Sequence, residues 1–212
     1  MTEVSYLDIR RIMLASVEII RGNHQELSRL DSATGDGDHG TTMLRSFDSV
    51  EKTIADAQGE DLKSLLYDIG WNIMCADGGS TGPLLGSLFM GMSESVEGKV
   101  TLDGAALAAM FRAGLTGMSE QSKANVGDKT MMDAIMPAID AMEAAAGEGK
   151  SIVDMFADAA KAAADGAEAT IKMQAKFGRA RNLGERTIGH KDPGATSMSL
   201  IFQSFADSIS KT

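Results

Sequence analysis

Three carboxylates fall within eight residues of one another at Asp31, Asp36 and Asp38, inside a glycine-rich stretch that reads G-D-G-D-H-G at 35–40. In an extended segment the side chains at i and i+2 share a side, so the Asp36/Asp38 spacing sets two carboxylates next to each other. Two such charges about 4 Å apart repel by roughly 4 kcal/mol at an effective dielectric of 20. A chain rich in glycine does not hold three of them together without a counter-charge. Hard oxygen ligands of this kind suit Mg²⁺, Ca²⁺ or Mn²⁺, and magnesium commonly shares its remaining positions with substrate phosphates. The competing reading is a solvated acidic turn of helix-capping aspartates.

Three other loops resemble the first in richness. They run over 77–83, over 127–131, and from Gly178 to Thr196. Each precedes a run of apolar residues at helical spacing. A helix start carries free N–H groups and the positive end of the dipole, so four such loops brought together would form an anion site. The competing reading for any one loop is that glycine merely ends a helix. A charge asymmetry adds to the pattern. Between Lys172 and Lys191 there are six basic residues and one acid, Glu185, in a chain whose net charge is −10. That segment suits a polyphosphate clamp or a docking face for an acidic partner, against the alternative of a solvated basic face.

Several familiar motifs are excluded. Gly35, Gly37 and Gly40 satisfy G-x-G-x-x-G, but no strand precedes them and acids stand where a pyrophosphate would approach. An EF-hand needs Glu at its last position; counted from Asp31, Asp36 or Asp38 that position is Thr42, Phe47 or Ser49. No G-x-x-x-x-G-K-[ST] occurs.

The elements that must position these loops are helical. Apolar residues recur at 3.6-residue spacing almost throughout. Ile9, Met13, Val17 and Ile20 mark a first helix, expected to end near Gly22 and Asn23. Met43, Phe47, Val50 and Ile54 mark a second, and Leu62, Leu66, Ile69 and Ile73 a third. Leu84 or Leu85, then Leu88, Met92 and Val96, follow Pro83, which suits a first-turn proline. Leu107, Met110, Phe111, Leu115 and Met118 come next. Ile135, Ile139 and Met142 follow, with Pro137 inside, where a kink is expected. Residues 144–150 read as a loop. Ser151 and Asp154 read as a capping box before Met155, Phe156, Ala159, Ala163, Ala167 and Ile171. Met198, Leu200, Ile201, Phe205 and Ile209 close the series. No alternating strand-type run is found. The expectation is an all-α bundle or barrel of about eight helices, forming one domain over residues 1–212.

Composition agrees with this and excludes other classes. The 212 residues can bury a full core without staples. One cysteine, Cys75, excludes an intramolecular disulfide framework or a cysteine-rich zinc site. The acidic balance argues against a general nucleic-acid binder. No uncharged apolar run reaches the length of a membrane span, and no basic-then-apolar leader follows Met1. A soluble cytoplasmic protein is expected.

The motifs G-D-G-D-H-G at 35–40 preceded by Asp31, G-G-S-T-G-P-L-L-G at 78–86, G-D-K-T-M at 127–131 and G-E-R-T-I-G-H-K-D-P-G-A-T-S at 184–197 resemble, in the same order, the nucleotide-binding L subunit of dihydroxyacetone kinase. The resemblance covers essentially the whole chain. It implies an antiparallel eight-helix barrel, closed at one end and binding Mg-nucleotide, ADP or ATP, at the other rim. It implies that Asp31, Asp36 and Asp38 hold two Mg²⁺ ions bridging the phosphates. Phosphate contacts carry over to His39, Gly40, Thr41, Thr42, Ser80 and Thr81. The adenine and ribose side carries over to Met131, Arg179, Asp192, Pro193 and Gly194, with a further nucleotide contact at Ser122. Thr42 stands where some members have Asn. No residue carries over as a catalytic base or nucleophile. Three aspartates and ADP together bear a charge of about −6, which two Mg²⁺ reduce to about −2, so two metals are consistent with the charge of the site.

The implied activity is phosphoryl transfer to dihydroxyacetone bound on a separate K subunit. The donor is either exchangeable ATP or ADP held as a prosthetic group and recharged by a phosphotransferase-system M subunit. The alternatives are a kinase subunit for another short ketose such as erythrulose, or a nucleotide-sensing module that binds a transcription regulator. The implied assembly is a homodimer or a complex with a K-subunit dimer.

Overall fold

The computed structural model describes residues 1–76 and 79–211; Asp77 and Gly78 of the second glycine-rich loop, and Thr212, lie outside the described residues. Eight α-helices account for most of the described chain: α1 (Tyr6–Ser32), α2 (His39–Asp56), α3 (Leu62–Cys75), α4 (Thr81–Glu94), α5 (Gly104–Gln121), α6 (Met132–Gly147), α7 (Ile152–Ala169) and α8 (Pro193–Ile209). Short 3₁₀ segments at Thr170–Lys172 and Arg179–Thr187 lie between α7 and α8. Each helix packs on the next in sequence, and α8 returns to pack on α1, closing the ring.

The apolar stripes explain the closure. Ile9, Met13, Val17, Met43, Phe47, Leu66, Ile69, Met110, Ile139, Phe156 and Met198 are all buried in one continuous core. Four of the seven phenylalanines, Phe111, Phe156, Phe202 and Phe205, stack with ring centroids 5.8–6.1 Å apart. They join α5, α7 and α8 with edge and tilted contacts that aromatic quadrupoles favour. Of the two candidates at the start of the fourth stripe, Leu85 faces the core.

Several expectations are corrected. Helix α1 continues through Gly22 and Asn23 for another turn and more, to Ser32. One exposed glycine costs a helix only about 1 kcal/mol. Buried Leu27 extends the stripe, and the Asn23 side chain donates back to the Ile19 carbonyl. The extension matters, because it places Asp31 in the last turn of α1. Two three-residue strands, β1 (Glu3–Ser5) and β2 (Thr101–Asp103), pair antiparallel with Val4 opposite Leu102. Each strand buries one side chain, too few for alternation to show in the sequence. Helix α6 reaches Gly147, so the loop expected at 144–150 is confined to its end. It passes Pro137 as one helix. The proline removes the donor that would pair with the Asp133 carbonyl, and Gly166 of α7 comes so close that a Cβ there would lie 1.9 Å from that oxygen. Glycines serve the helix crossings as well as the loops: a Cβ on Gly70 would meet the Gly86 carbonyl at 2.6 Å, and one on Gly117 would meet Ser87's at 2.6 Å.

Candidate functional site

All four links that lead from an odd-numbered helix to an even-numbered one converge at one end of the ring. A cavity of about 590 Å³ opens there, a volume within the range of small-molecule sites. It is lined by the end of α1 (Asp31), the start of α2 (Asp38, His39), the link before α4 (Gly79, Ser80, Thr81), the end of α5 (Gln121, Ser122), the start of α6 (Thr130, Met131), residues 177–180, and the start of α8 (Asp192, Pro193, Gly194). Odd helices therefore end at this rim and even helices begin there, which makes the ring antiparallel.

Capping differs between the two ends. Helices that start at the far end are held by side chains: Ser5, Asp61, Asp103 and Ser151 each accept from a backbone N–H two to three residues into their helix. At the rim, Asp38, Ser80 and Met131 make no side-chain cap on α2, α4 or α6. In α2 the first helical bond is from the Thr42 N–H to the Asp38 carbonyl, so the Gly40 and Thr41 amides precede the helical ladder. Two starts at the rim are closed: Asp192 accepts from the Ala195 N–H at 2.7 Å at the head of α8, and at the head of α6 the Thr130 hydroxyl accepts from the Met132 N–H at 3.2 Å and the Thr130 carbonyl from the Asp133 N–H at 3.0 Å. The starts of α2 and α4 are left without such caps, and an open helix start favours an anion.

The carboxylates lie beside them. Asp31, Asp36 and Asp38 each offer an oxygen within 4.8 Å of the others. Asp31 is half-buried and accepts from the His39 N–H at 3.3 Å; Asp36 and Asp38 are exposed to the cavity. Gly37 turns the loop at φ +80°, and at Gly35 a Cβ would sit 2.2 Å from an Asp31 carboxylate oxygen. A side chain at Gly35 would displace the very group that the loop presents. The carboxylates also meet the C-terminal end of α1, whose dipole attracts cations. The cation that faces them here is Arg179, whose guanidinium pairs with Asp36 and lies 3.7 Å from Asp38. Three convergent hard oxygen donors with this excess of negative charge fit a divalent cation of the Mg²⁺ type.

His39 is buried, 8% exposed, and its Nε2 lies 3.1 Å from Ser197 Oγ. Ser197 Oγ also lies 2.8 Å from the Gly194 carbonyl, so a hydroxyl proton given there leaves Nε2 as the donor to Ser197. Burial pulls the imidazole down to about 4, against the nearby Asp31 charge, which raises it. Asp192 is pushed the other way, up to about 7, by desolvation, with the Ala195 amide and Lys129 opposing. It borders the open cavity and is only half-buried by area, so water there moderates the shift.

These opposite shifts predict opposite pH effects. A histidine depressed from 6.5 to about 4 contributes stability that is present above pH 6.5 and withdrawn as pH falls through 4, at most about 3 kcal/mol. An aspartate raised to about 7 contributes stability that is full below its unfolded value near 3.8 and lost as pH rises through 7. Melting curves between pH 7.5 and 4.5, read as roughly bracketing both windows, should therefore show His39→Gln losing less stability on acidification than the parent chain. Asp192→Asn should lose more. Equal slopes in all three proteins would remove both assignments.

Of the residues singled out from the sequence, Asp31, Asp36, Asp38, His39, Thr42, Ser80, Thr81, Ser122, Met131, Arg179, Asp192, Pro193 and Gly194 line this one cavity. Gly40 and Thr41 do not. Gly40 is buried where α2 crosses α1, and a Cβ there would lie 1.7 Å from the His24 carbonyl; the Thr41 side chain is exposed. Thr34, Gln121, Thr130 and Phe177 line the cavity without having been expected to. Phe177 stands among the basic residues of 172–191, which was the available signal.

The loop at 127–131, read from sequence as anion-receptive, is largely satisfied by its own chain. Buried Asp133 accepts from the Gly127 and Thr130 N–H groups at 2.6 and 2.7 Å. Lys129 is 2% exposed and adopts φ +59°, a conformation that costs a non-glycine residue of order 1–3 kcal/mol.

A closed ring of antiparallel helices with a cavity at one rim, lined by carboxylates and helix starts, is the class that this fold and site define. The chain belongs to the DAK2 domain family, whose pattern matches residues 33–207. It is 35% identical over 189 residues to the PEP-dependent dihydroxyacetone kinase, ADP-binding subunit DhaL, of Escherichia coli (strain K12), covering 89% of this chain and 90% of that subunit. It is 37% identical over 185 residues to the corresponding subunit of PEP-dependent dihydroxyacetone kinase 1 of Listeria innocua, covering 87% of each. Among solved structures it resembles the dihydroxyacetone kinase from C. freundii in complex with AMP-PNP and Mg²⁺, with a TM-score of 0.75 and 26% identity over 98% of this chain. It spans 35% of that larger enzyme's length.

Proposed function

We propose that this chain is the nucleotide-binding subunit of a dihydroxyacetone kinase, a phosphotransferase that works with a separate K subunit carrying the ketose. The observation that carries the reading is the convergence, on one cavity, of three carboxylates with the uncapped starts of α2 and α4. That combination suits a metal-bound polyphosphate, and the names of the relatives supply its chemical class. Asp31, Asp36 and Asp38 would hold two Mg²⁺, which when bound neutralise phosphate charge. The Gly40 and Thr41 amides, the Thr42 hydroxyl, Ser80 and Thr81 would receive the phosphates. Met131, Arg179, Asp192, Pro193 and Gly194 would border the adenine and ribose, with Ser122 beside them, while Arg179 also faces Asp36 and Asp38.

None of these groups is a general base. His39, which borders the cavity and would contact phosphate there, is neutral near pH 7 and also ties α2 to α8 through Ser197. Phosphoryl transfer depends chiefly on positioning and charge stabilisation, which is what the rim offers. ADP retained as a prosthetic group and recharged from a phosphoenolpyruvate-driven M subunit in the cytoplasm agrees best with relatives named as ADP-binding subunits of PEP-dependent kinases.

The reading is tested at Arg179, which is exposed and lies off every apolar stripe. Arg179→Ala should leave the helical circular-dichroism signal and melting temperature of the nucleotide-free chain unchanged. It should weaken Mg-ADP binding by roughly 1.5–3 kcal/mol, the range for hydrogen bonds to charged groups. Loss of apo stability with unchanged affinity would make the residue structural and remove it from the site.

A further inference from the structure

Lys129 is a buried cation whose position the nucleotide reading does not use. Among the described residues it is the non-glycine residue with positive φ, so the chain holds a strained backbone to aim this side chain inward. Its Nζ donates to the Thr170 carbonyl at 2.5 Å and to the His190 carbonyl. These two carbonyls flank the segment 171–189, which leaves α7, crosses the rim and returns to α8. Between them the chain carries Arg179 to Asp36 and Asp38. Neighbouring bonds close the same base: the Gly189 N–H donates to the Ile171 carbonyl at 2.7 Å, and the Asp192 N–H to Thr170 Oγ1 at 2.9 Å. Farther out, Lys176 pairs with Asp128 at 2.8 Å, and the Ala175 N–H donates to Thr187 Oγ1 at 3.0 Å. Burial works against the ammonium's charge, and Asp133 and, when ionised, Asp192 oppose that penalty.

We infer that Lys129 is a positioning residue: its ammonium latches the two feet of the 171–189 loop together and thereby holds Arg179 over the acidic cluster. Two of the three ammonium donors are spent on main-chain carbonyls, so the lysine acts on the site through the loop and not as a phosphate ligand. A charge is suited to this task. A single group must satisfy two carbonyls that converge from opposite chain directions, and an ammonium donates to both without needing an acceptor in return. The helices themselves do not depend on it, because neither foot belongs to the apolar core stripes.

The test uses the full chain with Lys129→Met, which keeps the side-chain length and removes the donors. Cleavage by trypsin after Lys172, Lys176, Arg179, Arg181 and Arg186 should accelerate by about tenfold or more, as expected for local opening, while the helical signal is retained. Mg-ADP affinity should fall about as far as in Arg179→Ala. The double variant Lys129→Met/Arg179→Ala should bind within about twofold of Arg179→Ala alone, since residues acting in series are not additive. Lys129→Gln, which keeps an amide donor of shorter reach, should give intermediate values of both readouts and replaces Lys129→Met should that variant not fold. Unchanged loop cleavage would overturn the latch, and additive affinity losses would show that Lys129 meets the ligand itself. The affinity arm rests on the nucleotide reading; the protease arm needs no ligand, so failure of one is distinguishable from failure of the other.

Discussion

Asp36→Asn and Asp38→Asn should each reduce Mg-dependent ADP binding by more than about 100-fold, equivalent to roughly 3 kcal/mol. Each change removes one charge from a set of three carboxylates whose oxygens lie within 4.8 Å of one another. The loss is larger than that of one hydrogen bond, because a cation left short of a ligand no longer screens the remaining carboxylates from the incoming phosphates. Removing one partner from a compensated charge cluster typically costs several kcal/mol. The nucleotide-free fold should be indifferent to either change. Both side chains are exposed to the cavity, and neither caps α2. Isothermal titration calorimetry with ADP, with and without Mg²⁺, and melting curves of the apo proteins separate these effects. Wild-type affinity in either variant, or in the parent chain with excess chelator, would sink the metal assignment.

The isolated chain, given ATP, Mg²⁺ and dihydroxyacetone, should make no dihydroxyacetone phosphate above background; adding a K subunit should restore transfer. The geometry supports this, because the two lysines in the motif loops are engaged: Lys129 with the Thr170 and His190 carbonyls, and Lys191 with Glu168 at 3.1 Å. Neither is free to form a carbinolamine with a carbonyl substrate. With ATP as sole donor, many turnovers would indicate exchangeable nucleotide. At most one turnover per chain, extended only by a phosphorylated M subunit, would indicate retained ADP. Robust turnover by the chain alone would place the ketose site within these 212 residues and end the two-subunit reading.

Much of this architecture is local and therefore legible in sequence. The apolar stripes of α2, α3 and α5 match the buried residues, and that of α7 does as far as Ala167, with Ile171 beyond the helix end and only partly buried, because helix period and core contact are read from the same spacing. Pro83 lies in the first turn of α4, and Ser151 caps α7, although the Asp154 carboxylate accepts from the Ser151 hydroxyl in place of the backbone amide. Asp36 and Asp38 do converge, though not through the extended segment expected: Gly37 between them turns the chain at φ +80°.

What sequence spacing alone could not provide is whatever depends on which end of a helix meets which other helix. The motif loops looked alike as glycine-rich helix starts, yet 127–131 turned out to be satisfied by Asp133 and to serve as an anchor for a distant loop. The open starts of α2 and α4 are meaningful only because they face the same end of the ring, opposite the capped starts of α1, α3, α5 and α7. The His39–Ser197 bond joins residues 158 positions apart, and Arg179 reaches Asp36 across a comparable stretch of chain. Sequence determined that the chain would be helical, acidic at 31–38 and basic near 172–191, because propensity, charge and short-range spacing are properties of neighbours along the chain. Tertiary structure alone decided that those two segments meet, since closing α8 onto α1 to bury one common core is what carries the basic loop over the acidic one.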